Sequence, residues 1–178
     1  MDKINVLYTE EEIANRVKEL AQELYSKYGD EEVVFVCTLK GAVFFACDLL
    51  KRYEGDARLE FLRVSSYEGE SSTGKISLKM PLDAEKINGK HVVIVEDIVD
   101  TGYTLEYIRK YVYDMHPASL IECTLLDKKA RRVVDIDPTY SGFVIEDLFV
   151  VGYGLDYDQK YRNLPYIGVV VKEWKINM

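Results

Sequence analysis

Apolar residues recur along this chain in two patterns, which together predict strands that alternate with helices. Short runs of valine, isoleucine and leucine are typical of buried strands, whereas apolar residues three and four positions apart indicate helices. This order favours an α/β fold with a mostly parallel, twisted sheet flanked by helices. The predicted strands lie at residues 33–37, 59–64, 76–78, 92–95, 120–126, 148–151 and 167–171. The predicted helices lie at residues 10–28, 42–53 and 105–114, the first after a capping box of Thr9 and Glu12.

The segment 92–105 contains the clearest candidate for a binding site. Glu96 and Asp97 are expected where the strand ends, and a short loop of small residues follows before the next helix. A helix start presents unpaired backbone N–H groups and a partial positive charge, to which Thr101 and Thr104 add hydroxyl groups. This combination favours a phosphate-binding site.

The same loop lacks the Gly-x-x-x-x-Gly-Lys-Ser/Thr pattern of nucleoside-triphosphate-binding loops, and Gly-x-Gly-x-x-Gly is also absent. Because acids repel phosphate, Glu96 and Asp97 are expected to face hydroxyl groups or a metal ion. A ribose 5-phosphate offers a phosphate at one end and sugar hydroxyls nearby. The alternative is an ordinary strand–turn–helix with acidic capping residues.

Two further loops are candidates for ligand contacts. Lys40 and Gly41 lie between a predicted strand and a predicted helix, where a lysine and a glycine amide could hold an anion. The alternative is a solvated lysine. Residues 65–75 contain little to bury, so they predict either a mobile loop or a long hairpin tip, with or without a role in binding.

Composition favours a single domain over residues 1–178, with 48% hydrophobic and 30% charged residues. The net charge of −8 argues against nucleic-acid binding, which needs a basic face. The first residues, Met-Asp-Lys-Ile-Asn, are not typical of a signal peptide, and no apolar run approaches the roughly 20 residues of a membrane span. We therefore expect a cytoplasmic protein without membrane contact. The residues expected to be reduced core cysteines are Cys37, Cys47 and Cys123, and those expected to be structural histidines are His91 and His116.

The run at residues 95–104, Val-Glu-Asp-Ile-Val-Asp-Thr-Gly-Tyr-Thr, closely resembles the phosphoribosyl-diphosphate (PRPP) signature of type I phosphoribosyltransferases. Its Glu-Asp-x-x-Asp-Thr-Gly form is most similar to that of the hypoxanthine-guanine enzymes. The resemblance implies the type I phosphoribosyltransferase fold. It also implies a flexible lid loop and a small hood, formed by the N-terminal segment and about residues 128–178.

The resemblance assigns roles to residues of the segment and to residues elsewhere in the chain. Asp100 is implied as the general base, facing N7 of the purine. The residues implied in binding PRPP and its 5′-phosphate are Glu96, Asp97, Asp100, Thr101, Gly102, Tyr103 and Thr104, of which Tyr103 lies where relatives vary. Those implied at pyrophosphate are Lys40, Gly41 and Arg162, with a cis peptide bond between Leu39 and Lys40.

The remaining implied roles concern the lid, the purine and the metal. The implied lid residues are Ser66 and Tyr67. The implied purine-binding residues are Lys128, which donates to the 6-oxygen, Phe149, which stacks on the ring unless it is a plain core residue, and Val150. The basic run 128–132 around that lysine is otherwise expected to be a solvated face or a patch for an anionic partner. The implied Mg²⁺ ligands are Glu96, Asp97 and Asp156.

The implied reaction transfers the 5-phosphoribosyl group from PRPP to N9 of hypoxanthine or guanine. Its products are IMP or GMP and pyrophosphate, as in purine salvage. Three alternatives stay open: a xanthine-directed transferase, an adenine-directed transferase, and a regulator on the same fold that senses PRPP or nucleotides and binds RNA or DNA. The family's habit of pairing subunits implies a homodimer or a homotetramer.

Overall fold

The computed structural model describes residues 3–66 and 76–171, in which strands and helices alternate as predicted. The strands are β1 (Lys3–Tyr8), β2 (Val33–Thr38), β3 (Ala57–Ser66), β4 (Ile76–Met80), β5 (His91–Val99), β6 (Ser119–Asp127), β7 (Tyr140–Val144), β8 (Val150–Val151) and β9 (Ile167–Val171). The helices are α1 (Glu10–Tyr28), α2 (Val43–Arg52) and α3 (Tyr103–Tyr113), with short 3₁₀ turns at Ala84–Lys86 and Lys129–Arg131.

A mostly parallel sheet forms the centre of the described part of the chain, and this confirms the predicted fold class. Its six strands lie in the order β4-β3-β2-β5-β6-β7. Five of them run parallel, and β4 pairs antiparallel with β3 at one edge. From β2 the chain moves outward to β3, whereas from β5 it moves in the opposite direction to β6. The carboxyl ends of β2 and β5 therefore flank a topological switch point, where sheets of this kind bind ligands.

Alternate residues of the central strands bury opposite faces of this sheet. Val93 and Val95 pack in the apolar cluster that contains α1 and α2. Val92 and Ile94 pack in the cluster that contains the apolar face of α3. Burying a side chain of this size stabilises the fold by roughly 1.5–3 kcal/mol. The alternating burial of β5 therefore fixes α2 and α3 on opposite sides of the switch point.

The end of β5 differs from the prediction. The run of β-branched residues predicts a strand that stops at Val95, but β5 continues to Val99. Pairing with β2 does stop at Val95, whereas pairing with β6 continues to the partners Val99 and Asp127. Glu96 and Asp97 thus lie inside a strand that has a neighbour on one side only, because β6 extends further than β2.

Three further strands of the described residues form a second sheet, in the order β1-β9-β8. Strand β1 pairs antiparallel with β9, and β9 pairs antiparallel with β8. The assignment of a hood to the N-terminal segment and residues 128–178 stays a prediction. Neither β1 nor β7 was predicted, because no residue of either strand is fully buried and neither shows a clear apolar alternation.

The edge strand β7 is covered by a side chain of α1. Arg16 Nε donates to Gly142 O at 2.9 Å, and its Nη2 donates to Ser141 O at 2.9 Å. The same guanidinium pairs with Glu19 at 2.8 Å and Glu23 at 2.9 Å. A buried or covered edge avoids unpaired backbone groups that would otherwise recruit another strand.

One cysteine departs from the expectation of a core position. Cys37 and Cys123 are buried, but Cys47 is exposed on α2. His91 lies 2.8 Å from Ser119 Oγ at the amino end of β5, in keeping with a structural histidine. None of the described helices is both long enough and apolar enough to cross a membrane.

Candidate active site

A cavity of about 270 Å³ opens at the carboxyl end of β5. Its walls come from the last residues of the strand, the turn that follows and the start of α3. This is the edge at which β2 and β5 diverge, so the cavity lies at the switch point. The lining residues are Glu96, Asp97, Ile98, Val99, Asp100, Thr101, Gly102, Thr104 and Leu105. Of the residues implied in PRPP binding, Tyr103 is absent from the lining and is 51% exposed at the first turn of α3.

In the acidic pair, Glu96 is buried and incompletely hydrogen-bonded, and Asp97 is half-buried. Glu96 is 6% exposed, and no described group donates a hydrogen bond to its Oε1. Burial raises the pKa of Glu96 well above its usual range, and the neighbouring charge of Asp97 raises it further. Burial also raises the pKa of Asp97, although the Ile98 N–H, which donates to Oδ1 at 2.7 Å, and the charge of Arg162 oppose this. A cation or hydroxyl donor would relieve both carboxyl groups.

The turn after β2 contacts Asp97 directly. The Leu39–Lys40 peptide bond is cis, in agreement with the expectation from the resemblance. A Cβ atom built on Gly41 would lie 1.6 Å from Asp97 Oδ2, so only glycine fits at this position. The sequence therefore brings the predicted anion-binding turn and the predicted sugar-binding acids into contact, although 56 positions separate Gly41 from Asp97 along the chain.

The loop between β5 and α3 has the form of an anion cradle. Gly102 precedes the first residue of α3 at φ 95°, in the left-handed region, and no side chain caps the helix start. The first N–H groups of α3 therefore have no intrahelical partner. A Cβ on Gly102 would lie 2.8 Å from Ile136 Cγ2 and 3.0 Å from Arg132 Cδ, so the segment after β6 closes the space behind the loop.

Lys128 lies next to Asp100, just outside the cavity lining. It follows β6 directly and is 6% exposed. Its Nζ lies 3.5 Å from Asp147 Oδ1 and 4.0 Å from Asp100 Oδ2. A buried ammonium group held by two carboxylates is a fixed hydrogen-bond donor, as a site for a carbonyl oxygen requires.

Phe149 is not a core residue. Its side chain is 55% exposed and makes an edge-to-face contact with Tyr157, with ring centroids 5.4 Å apart. More than half of the side chain is thus accessible to a ligand. The following residue, Val150, is buried and pairs with Val169 in the second sheet.

The residues implied at pyrophosphate and metal form one cluster. Arg162 Nη2 lies 2.7 Å from Asp156 Oδ1, and Nη1 donates to Gly154 O at 2.7 Å. Lys40 Nζ donates to Gln159 Oε1 at 3.2 Å. Asp156 is therefore already paired. Among residues 3–66 and 76–171, no three His, Cys, Asp or Glu side chains are arranged to hold a metal ion.

Two features of the segment after β6 escaped the sequence analysis. The basic run is not a solvated face throughout, because Lys128 is buried and the Arg132 side chain is only 11% exposed. Arg132 forms an ion pair with the buried Asp127. The presence of Asp127 next to the basic run was the available signal, since a buried acid needs a partner.

The implied lid lies almost wholly outside the described residues. Ser66 is the last residue of β3. Tyr67 falls outside the described ranges, so both lid assignments stay predictions.

Comparison with known proteins agrees with this geometry. The profile of the phosphoribosyl transferase domain matches residues 4–158. The chain is 42% identical to a hypoxanthine-guanine-xanthine phosphoribosyltransferase from Tritrichomonas foetus, over 95% of this chain and 92% of that protein. It is also 42% identical to a hypoxanthine phosphoribosyltransferase from Haemophilus influenzae, over 96% and 97%. A crystal structure of a hypoxanthine-guanine phosphoribosyltransferase from Bacillus anthracis superposes with a TM-score of 0.91 at 42% identity, covering 96% of this chain and 100% of that one.

We predict that Glu96→Gln raises the melting temperature of the ligand-free, metal-free protein. The pKa of Glu96 is raised in the folded state, so its ionisation costs folding free energy at every pH above the ordinary glutamate value. Calorimetry at about pH 7.5 should show a gain of roughly 2 °C or more, which shrinks as the pH falls towards about 4.5. The exposed Glu54→Gln is the control. A melting temperature for Glu96→Gln at or below that of the wild type would contradict the prediction.

Proposed function

This chain belongs to the phosphoribosyl transferase family, and from that premise we propose that it is a hypoxanthine-guanine phosphoribosyltransferase of purine salvage. The reaction transfers the 5-phosphoribosyl group from PRPP to N9 of hypoxanthine or guanine. The bond between C1′ and the pyrophosphate oxygen breaks, and the bond between C1′ and N9 forms. IMP or GMP and pyrophosphate are the products.

The observation that carries this proposal is the composition of one cavity together with the lysine next to it. The cradle at residues 100–104 can hold a phosphate, and the carboxyl groups of Glu96 and Asp97 can hold hydroxyl groups. Lys128, outside the cavity lining, supplies a donor beside Asp100. A phosphorylated sugar joined to an oxopurine presents a phosphate, then sugar hydroxyls, then a purine oxygen, which match these three groups in turn. Charge-assisted hydrogen bonds of this kind contribute roughly 1.5–3 kcal/mol each.

Asp100 is the proposed general base. One of its carboxylate oxygens, Oδ1, is buried and accepts no hydrogen bond from the described residues, although Arg131 Nε lies 3.5 Å away in an ion pair. Its other oxygen lies 4.0 Å from Lys128 Nζ, on the side assigned to the purine. In this role Asp100 takes the N7 proton while N9 attacks C1′, which keeps the purine from gaining positive charge.

The acidic pair fits a Mg²⁺ ion bound together with substrate. Glu96 Oε1 is a buried carboxylate oxygen without a donor, and Mg²⁺ is usually held by one or two carboxylates plus substrate oxygens. When bound, the ion would neutralise charge on the pyrophosphate leaving group. Asp156 stands in an ion pair with Arg162, so we assign the first contacts to Glu96 and Asp97.

Lys40 and Arg162 supply the remaining positive charge at pyrophosphate. Both approach Gln159, whose Oε1 lies 3.2 Å from Lys40 Nζ and 3.3 Å from Arg162 Nη2. A pyrophosphate oxygen would find two donors at the place that the amide oxygen now takes. The subunit arrangement, a homodimer or a homotetramer, stays a prediction.

The function is tested by incubating the purified protein with PRPP, Mg²⁺ and one base at a time, and separating the nucleotides formed. We expect IMP from hypoxanthine and GMP from guanine, with turnover that depends on Mg²⁺, and little product from adenine. Xanthine is also tested as a base, because the name of the relative from Tritrichomonas foetus includes it. Absence of nucleotide from every base, with PRPP binding intact, would favour a regulator instead.

We predict that Lys128→Gln lowers kcat/KM for hypoxanthine and guanine by about ten- to hundredfold, because a charged donor to the 6-oxygen is lost. The loss for adenine should be smaller, since a glutamine oxygen can accept from its 6-amino group. Steady-state kinetics with each base measures the change in preference. The neighbouring Lys129→Gln, whose side chain is 56% exposed, is the matched control. An unchanged preference in Lys128→Gln would remove Lys128 from purine recognition.

We predict that Asp100→Asn lowers kcat at least about tenfold while PRPP still binds, because an amide cannot take the N7 proton. Single-turnover kinetics and calorimetric titration with PRPP separate the two effects. Asp114→Asn, at an exposed position after α3, should behave as the wild type. Near-normal turnover by Asp100→Asn would show that another group acts as the base.

A further inference from the structure

The carbonyl groups at the end of β5 and in the following turn are all held from one side. Arg132 Nε donates to Asp100 O at 3.0 Å, and its Nη2 donates to Val99 O at 3.4 Å. The N–H groups of Val133 and Val134 donate to Thr101 O at 2.9 and 3.1 Å. Three consecutive carbonyls therefore point towards the segment 128–136.

This arrangement determines where the N–H groups of the turn point. In a planar trans peptide the C=O and the following N–H point in opposite directions. Because the carbonyls of residues 99–101 point towards the segment after β6, the N–H groups of residues 100–102 point away from it. These N–H groups belong to the cradle proposed to hold the 5′-phosphate.

Arg132 is itself fixed in place. Its guanidinium pairs with Asp127, which is 1% exposed, and also donates to Ile136 O and, at 3.1 Å, to Asp137 Oδ1. Its aliphatic stem lies against Gly102, where a Cβ would come within 3.0 Å of Arg132 Cδ. A guanidinium whose donors are all engaged, on the buried Asp127 and on backbone carbonyls among other groups, has little freedom to reorient. It can therefore hold the turn in one conformation before a ligand arrives.

We propose that Arg132, anchored by Asp127, is the positioning residue that orients the peptide groups of the 99–102 turn towards the ribose 5′-phosphate. Arg132 does not touch the substrate. It acts mainly through Asp100 O, because Val99 O also accepts from the Lys128 N–H at 2.9 Å. In this way it sets the direction of the amides and the place of the Asp100 carboxylate together. This inference rests on the proposed function, since it concerns the same phosphate.

The test compares Arg132→Lys with the wild type. Lysine keeps a positive charge for Asp127, but its single nitrogen has three donors in place of the five of the planar guanidinium. It therefore cannot engage Asp127, Ile136 O, Asp100 O and Val99 O together, as Arg132 does. The readout is the ratio of the dissociation constants of inosine and IMP, obtained by calorimetric titration and displacement. Because inosine and IMP differ only in the 5′-phosphate, this ratio measures the contribution of the phosphate to affinity. If the ion pair of Arg132 were purely structural, its loss would leave the ratio unchanged.

We expect the ratio to fall about tenfold or more in Arg132→Lys, with near-normal melting temperature. Arg16→Lys is the matched control. Arg16 also donates to two backbone carbonyls and pairs with two carboxylates, but it lies at β7, away from the cavity. Its ratio should equal that of the wild type.

Each outcome decides between the inference and the proposed function. If the wild type does not bind IMP more tightly than inosine, the proposed function fails. If it does, and Arg132→Lys keeps the wild-type ratio, the positioning role is overturned. If Arg132→Lys does not fold, the double variant Asp127→Leu/Arg132→Met removes both buried charges and should restore folding. A low ratio in that variant supports the inference, and a wild-type ratio overturns it.

Discussion

The site depends on the unequal reach of the two strands that flank β5. Strand β2 leaves β5 at Val95, and β6 stays paired with it to Val99. Glu96 and Asp97 are therefore held rigidly by one neighbour while the other side is open. The chain reverses its direction of travel across the sheet at the same place, so α2 and α3 begin on opposite sides of the opening. A crevice at the strand ends follows from this topology.

The open side is a costly environment for two adjacent acids, and this has consequences for stability and for binding. Burial raises the pKa values of both carboxyl groups, and Glu96 Oε1 has no donor among the described residues. Asp97 Oδ2 is in such close contact with the Gly41 position that no side chain fits there. A ligand that brings hydroxyl groups or a cation would satisfy these groups. Binding would then remove the free-energy cost of the unpaired carboxyl oxygens, and this contributes to the affinity for the ligand.

Periodicity and local chemistry predicted the elements whose signals are local. The capping box of Thr9 and Glu12 and the buried run of β2 are examples, since each depends on residues within one turn or one strand. Strands β1 and β7 could not be predicted, because they are edge strands with weak apolar alternation. The true end of β5 depends on the length of β6, which no local pattern encodes. Burial of Arg132 depends on Asp127 and on carbonyls of another loop, and the exposure of Cys47 depends on which face of α2 meets the sheet.

The most direct test is a crystal structure of the protein with IMP. We predict that the phosphate oxygens lie about 2.7–3.2 Å from the backbone N–H groups of residues 101–104, with the ribose hydroxyls at Glu96 and Asp97 and the purine 6-oxygen at Lys128 Nζ. A nucleotide bound with its phosphate away from the turn between β5 and α3 would contradict the assignment of the whole site.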